Sequence, residues 1–221
     1  MDLNAFLFKI SILAIPVLLA ITWQELAHGW AARLFGDRTA ELLGRLSLNP
    51  LRHLDPFGTV LVPALLIAFG GPPIGWARPV PVAIAALPNP RRTAVLVALA
   101  GPAANLVMAL FWCTVLGLIA RVSGNPTLIS WIALTAAGGI SINVVLAIFN
   151  LLPIPPLAGG RILAALLPPS IGTQLERVEP VGFVVVVGVM ALVSLGPLGG
   201  IFDPANRLVG QVIGALLGQS A

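Results

Sequence analysis

The sequence predicts an all-α polytopic membrane protein of about five to six hydrophobic helices, with a small β element near the membrane surface. Composition is the first observation behind this. Hydrophobic residues make up 58% of the 221 positions, charged residues 9%, and the mean hydropathy is +1.01. Soluble domains carry about 25% charged residues, so this chain cannot cover a water-facing surface. The second observation is a succession of apolar runs, several of them long enough to cross a bilayer. The third is that the basic residues, nearly all Arg, fall in the short segments between those runs, as Lys and Arg do in cytoplasmic loops. The net charge is +4, from 12 basic and 8 acidic residues. No basic tract with interleaved aromatics is present, so no nucleic acid is expected as a partner, and the lipid bilayer is.

The first apolar run extends from Leu3 to Phe35, with a polar last third. Its stretch Ala5 to Ile21 has the length of a signal peptide, but no small-residue cleavage site follows, and a retained helix is predicted. The second run, Phe57 to Phe69, is short for a span of roughly 20 residues. The third covers Thr93 to Ala120, the fourth Thr127 to Leu152, and the fifth Val181 to Leu195. The sixth, Ala205 to Leu217, is again short and reads as re-entrant or interfacial. Arg38, Arg45 and Arg52 lie before the second run, and Arg78, Arg91 and Arg92 after it. A hairpin over 57–70 would place both basic loops on the cytoplasmic face. Glu41 to Leu48 and Ala77 to Ile84 read as short extended elements, the second because residues before proline avoid helical geometry. Cys113 is the single cysteine, so no internal disulfide is possible, and it reads as a small packed hydrophobe. No linker or internal repeat divides residues 1–221, which are expected to form one domain.

Chemistry concentrates at two places. Gln24, Glu25 and His28 end the first helical run, with Gln24 and His28 at i and i+4 on one face. A zinc-protease helix carries H-E-x-x-H, both His binding metal and the Glu serving as base; here the pattern is Q-E-x-x-H. Ionisable groups inside an apolar helix mark functional cavities, although a structural Glu25–His28 pair near the interface is the alternative. The second place is Asn150-Leu151-Leu152-Pro153-Ile154-Pro155-Pro156-Leu157-Ala158-Gly159-Gly160-Arg161. Its prolines end a helix, and its Gly pair suits a loop with close backbone approach. Non-helical backbone at membrane depth is tolerated where it lines a cavity or is buried in protein. Among lesser features, Gly101-Pro102 reads as a packing position, Asn143 as an interhelical hydrogen-bonding group, and Trp23, Trp30 and Trp76 as interface anchors.

The segment NLLPIPPLAGGR resembles the N-x-x-P-x-P-x-L-D-G-G-R signature of site-2 proteases, peptidase family M50. GWARPVPV at 75–82, NPRR at 89–92, ALAGPAAN at 98–105 and RLSLNPLRHLDPFGT at 45–59 are similar to other elements of its compact bacterial and archaeal branch without a PDZ domain. The resemblance covers residues 5 to 215 or so. It implies a multi-pass protein of a prokaryotic cell membrane, zinc as cofactor, and a membrane-spanning helix as substrate or client. It places the zinc ligands at Gln24, His28 and Ala158, the general base at Glu25, and a polar group serving substrate or oxyanion at Asn150. Gln24 is a poor zinc ligand and Ala158 offers no donor, whereas a catalytic zinc keeps three protein ligands. His53, with Asp55 two residues on, is the other histidine; it reads as structural, with recruitment as a third ligand the alternative. The resemblance therefore implies an intramembrane zinc metalloprotease that is impaired or inactive as written. A pseudoprotease that binds membrane helices without cleavage, and a small transporter using Glu25 and His28 as an ion site, are the competing readings.

Overall fold

The computed structural model describes residues 3–56, 61, 77–83, 87–177, 182, 185–186, 188, 200 and 203–218. Helix α1 is Leu3–Leu34 and α2 is the short Thr39–Leu42. Helix α3 is Pro90–Ile119, and α4 is Pro126–Asn150. Helices α5, Ala158–Leu166, and α6, Pro169–Arg177, follow, and α7 is Asp203–Leu216. Three helices, α1, α3 and α4, are long and apolar enough to cross a membrane. At 1.5 Å per residue α4 is about 38 Å long and α3 about 45 Å, against a hydrocarbon core of about 30 Å. The runs 57–69 and 181–195 lie wholly or mostly outside the described residues, as does Trp76.

The sequence marks the start of α4 clearly. Asn125 caps it, accepting from the amides of Thr127 at 3.0 Å and Leu128 at 3.3 Å, and Pro126 occupies the first helical position. The three long helices pack on one another, α3 against α4 most extensively. Their shared core joins Trp112 and Leu116 of α3 to Ala136 and Ile140 of α4 and Val209 of α7. A glycine makes this approach possible: a Cβ at Gly139 would come 2.4 Å from the Trp112 ring. Such small-residue contacts drive helix association in lipid, where apolar burial between helices gives no gain. The outer faces carry exposed Leu7, Phe8 and Ile10 on α1 and Leu106, Val107 and Leu110 on α3, a surface suited to acyl chains.

The expected β element takes a different form. Glu41 and Leu42 close α2 instead of starting a strand, and no strand occurs among the described residues. Residues 77–83 are non-helical, but Pro79 and Pro81 have no amide to give a ladder. The donors that remain go elsewhere. The amide of Arg78 bonds the His53 carbonyl at 2.8 Å, that of Val80 the Glu25 carboxylate at 2.7 Å, and that of Ala83 the Asp37 carboxylate at 2.5 Å. Arg45 completes the fastening, donating to the carbonyls of Arg52 at 2.6 Å and Arg78 at 2.9 Å. The two basic loops are thus bonded side by side on one end of the helices. The expected hairpin 57–70 between them lies outside the described residues. His53 is fully buried and its Nε2 bonds the Ser47 carbonyl at 2.8 Å, a structural placement.

Asp37 is the hinge of this arrangement, just beyond the end of α1. Burial raises its carboxyl pKa, but hydrogen bonds from Thr39 and the Ala83 amide outweigh it and hold the group below its ordinary value of 3.8. Its contribution to stability is therefore complete at neutral pH and is lost as the pH falls through that depressed pKa. Asp37→Asn is expected to lower the unfolding temperature near neutral pH, with the gap from the parent closing as the pH falls through that depressed pKa. Thermal unfolding in detergent across that range checks this, and a gap independent of pH would defeat it.

Candidate functional site

The polar end of α1 meets three other parts of the chain. Gln24 and His28, one turn apart on one face, point toward α3 and the end of α4. Gln24 Oε1 accepts from Asn105 Nδ2 of α3 at 2.7 Å and from Asn150 Nδ2 of α4 at 3.2 Å. Asn150 Nδ2 also reaches the Leu146 carbonyl of its own helix at 2.9 Å. His28 Nδ1 donates to the Val97 carbonyl of α3 at 2.8 Å, which leaves Nε2 as the ring's acceptor. Gly101 of α3 is what admits these side chains: a Cβ there would lie 2.3 Å from His28 Nε2 and 3.1 Å from Gln24 Cγ. Glu25 is turned toward the 77–83 segment and accepts the Val80 amide.

The proline-rich stretch after Asn150 folds back under the first turn of α5. The Gly159-Gly160 pair was expected in a loop, yet both residues are helical, within α5. Close approach is their use. A Cβ on Gly159 would come 2.2 Å from the Leu151 carbonyl oxygen, and one on Gly160 would come 2.3 Å from the Pro155 nitrogen. Ala158, buried in the first turn, is thereby held against the residues that directly follow Asn150.

Asn105 is the residue that sequence reasoning missed. It was read only as the end of ALAGPAAN, but it makes the shortest hydrogen bond to Gln24, is fully buried, and leaves its Oδ1 without a partner. An amide one turn after Gly101 on an apolar helix was the available signal. Asn143 differs from expectation: its Nδ2 bonds the Gly139 carbonyl one turn back within α4 rather than another helix.

Residues 114–195 match the model of Peptidase family M50. The chain is 41% identical over 180 residues to a Bacillus subtilis protein named "Putative zinc metalloprotease YwhC", covering 78% of this chain and 77% of that one. The chain belongs to peptidase family M50. Two further relatives of this M50 protein are named "Putative zinc metalloprotease Rip2". The one from Mycolicibacterium smegmatis is 33% identical over 170 residues, 77% of this chain and 62% of that protein. The one from Mycobacterium tuberculosis H37Rv is 32% identical over 147 residues, 64% of this chain and 52% of that protein. The M50 chain thus spans only part of these two relatives. No solved structure matches it.

Zinc is the metal these M50 relatives are named for, and the donors of this chain fit it poorly. Of the three positions that the family resemblance assigns to ligands, only His28 carries one. Gln24 offers a neutral oxygen already engaged by two amide donors, and Ala158 has none to offer. Among the described residues no group of three His, Cys, Asp or Glu side chains lies close enough to hold a metal ion.

Proposed function

We propose that this M50 protein is a multi-pass, single-domain membrane protein that engages membrane-spanning helices without zinc-dependent cleavage. The observation that carries this reading is the double acceptance at Gln24 Oε1. Where a metal ligand would need a free donor atom, Asn105 and Asn150 instead close an amide cluster that ties α1, α3 and α4 together. Such a cluster is neutral and joins the three helices without a metal, with the Asn105 Oδ1 left unpaired. The Glu25 carboxylate, the base by family resemblance, accepts a backbone amide, so the carboxylate also has a structural task.

The setting of His28 favours a second reading, a residual metalloprotease, because a ring held through Nδ1 by a backbone carbonyl presents Nε2 as metal-ligating histidines do. One experiment decides. The full chain is reconstituted in vesicles with a fluorescent single-span peptide weakened by glycine near its middle. Energy transfer and gel mobility are read with and without a chelator. Association of an intact peptide, insensitive to the chelator, is expected. Chelator-sensitive cleavage that Glu25→Gln abolishes would replace this reading with the second one, and absence of association would overturn both.

A further inference from the structure

The mouth of the helix bundle carries a feature that proteolysis or client binding does not use. A cleft of about 350 Å³ opens between the start of α3 and the end of α5, lined by Arg91, Arg92, Val95, Leu96, Ala165 and Leu166. A second, of about 320 Å³, lies on the other side of Arg92, against Phe35, Pro88, Asn89 and Thr93. Neither includes Gln24, Glu25 or His28.

Charge is the first argument about what the larger cleft holds. Arg33 and Arg38 are paired with Glu41. Arg91 and Arg92 are exposed and have no acidic partner among the described residues. Depth is the second argument. Helix α3, with 30 residues, is about 45 Å long, which matches the 40–45 Å or so of a bilayer with its headgroup layers. With α3 along the bilayer normal, its second and third residues would stand at the phosphate level, and Val95 and Leu96, one turn further in, about 6 Å deeper. Leu96 and Leu166 are exposed, at 38% and 71%. The lining is thus graded from two cations outside to apolar walls inside.

We propose that this cleft binds one anionic phospholipid, its phosphate on Arg91 and Arg92 and its acyl chains along Leu96 and Leu166. A free anion would leave the apolar wall bare. A zwitterionic lipid would bring its own ammonium against two guanidinium groups. Basic pockets beside membrane helices on the arginine-rich side take anionic headgroups for these reasons.

The test uses the purified full chain in a neutral detergent. Phosphatidylglycerol and phosphatidylcholine with identical acyl chains are offered, and retained lipid is counted by native mass spectrometry. Two headgroup-level arginines correspond to about 30-fold preference for the anionic lipid, with one molecule retained per chain. Arg91→Gln with Arg92→Gln is expected to reduce that to a few-fold, while Arg121→Gln beyond the other end of α3 leaves it unchanged. Leu166→Glu, at an exposed position that folding does not depend on, is expected to lower the preference without touching either arginine. Equal retention of the two lipids would overturn the proposal, as would a preference that survives both the arginine and the Leu166 variants or falls equally in Arg121→Gln. Displacement of the lipid by inorganic phosphate at comparable concentration would also overturn it, assigning the cleft to a soluble anion.

Discussion

Gln24→His combined with Ala158→Asp is expected to turn a chain that loses zinc on purification into one that retains about one zinc per molecule. The two changes restore nitrogen and carboxylate donors at the family positions flanking His28. His28 needs no change, since the Val97 carbonyl already fixes its ring with Nε2 available. Apparent free energies of roughly 10–16 kcal/mol for four-ligand zinc sites correspond to about 3 kcal/mol per ligand, so two restored ligands amount to an affinity gain of about four orders of magnitude. Gln24→His alone is expected to gain far less, because it removes the acceptor of both Asn105 and Asn150 and returns only two good ligands. Metal content after dialysis, and competition with a zinc indicator for affinity, check this. A full equivalent tightly bound to the unaltered chain would sink it. So would a folded double variant with no gain.

That prediction also separates scaffold from chemistry. If zinc returns and a single-span peptide is then cut, the frame around the ligands has kept its catalytic geometry, and the two ligand positions account for the difference from the unaltered chain. If zinc returns without cleavage, the carboxylate of Glu25 is the place to look, since its hydrogen bond to the Val80 amide holds it against the 77–83 segment.

Hydropathy made α1, α3 and α4 legible, because each is a long apolar run that helix satisfies in lipid, and the short run at Ala205 to Leu217 marked α7. The short helices α5 and α6 were not foreseen. Prolines and a glycine pair at 153–160 signal loop; the Gly pair lies instead in the first turn of α5, and its close approach is to the backbone of residues 151–155. Residues 77–83 were rightly read as non-helical, but pairing into a sheet did not follow: a proline pattern constrains φ and ψ and says nothing about which acceptors its remaining amides find. They found Glu25 and Asp37, more than forty positions away. The same limit applies to the site. Q-E-x-x-H and Ala158, set beside the family signature, suggested an incomplete ligand set, yet the partner of Gln24, Asn105, lies eighty-one residues on. Nothing local distinguishes that amide from one bonded within its own helix, as Asn143 is.

Gly159→Ala is expected to be among the most destabilising single-methyl changes available to this chain. Its added carbon would sit 2.2 Å from the Leu151 carbonyl oxygen and 2.4 Å from that of Leu152. Both obstacles are backbone, so no rotamer change relieves them, and α5 must move off the end of α4. Overpacking of this kind costs about 1–3 kcal/mol where side chains can yield, and the upper end is expected here. Gly210 supplies the control. It lies on the exposed face of α7 with nothing within 4 Å of a would-be Cβ. Gly210→Ala should therefore stabilise, by roughly 0.5–1 kcal/mol through helix propensity alone. Two identical chemical changes thus have opposite expected signs, decided by whether a second backbone lies in the way. Thermal unfolding of both variants in one detergent reads the signs directly. If Gly159→Ala unfolded at the parent's temperature, α5 would not be seated on the residues after Asn150.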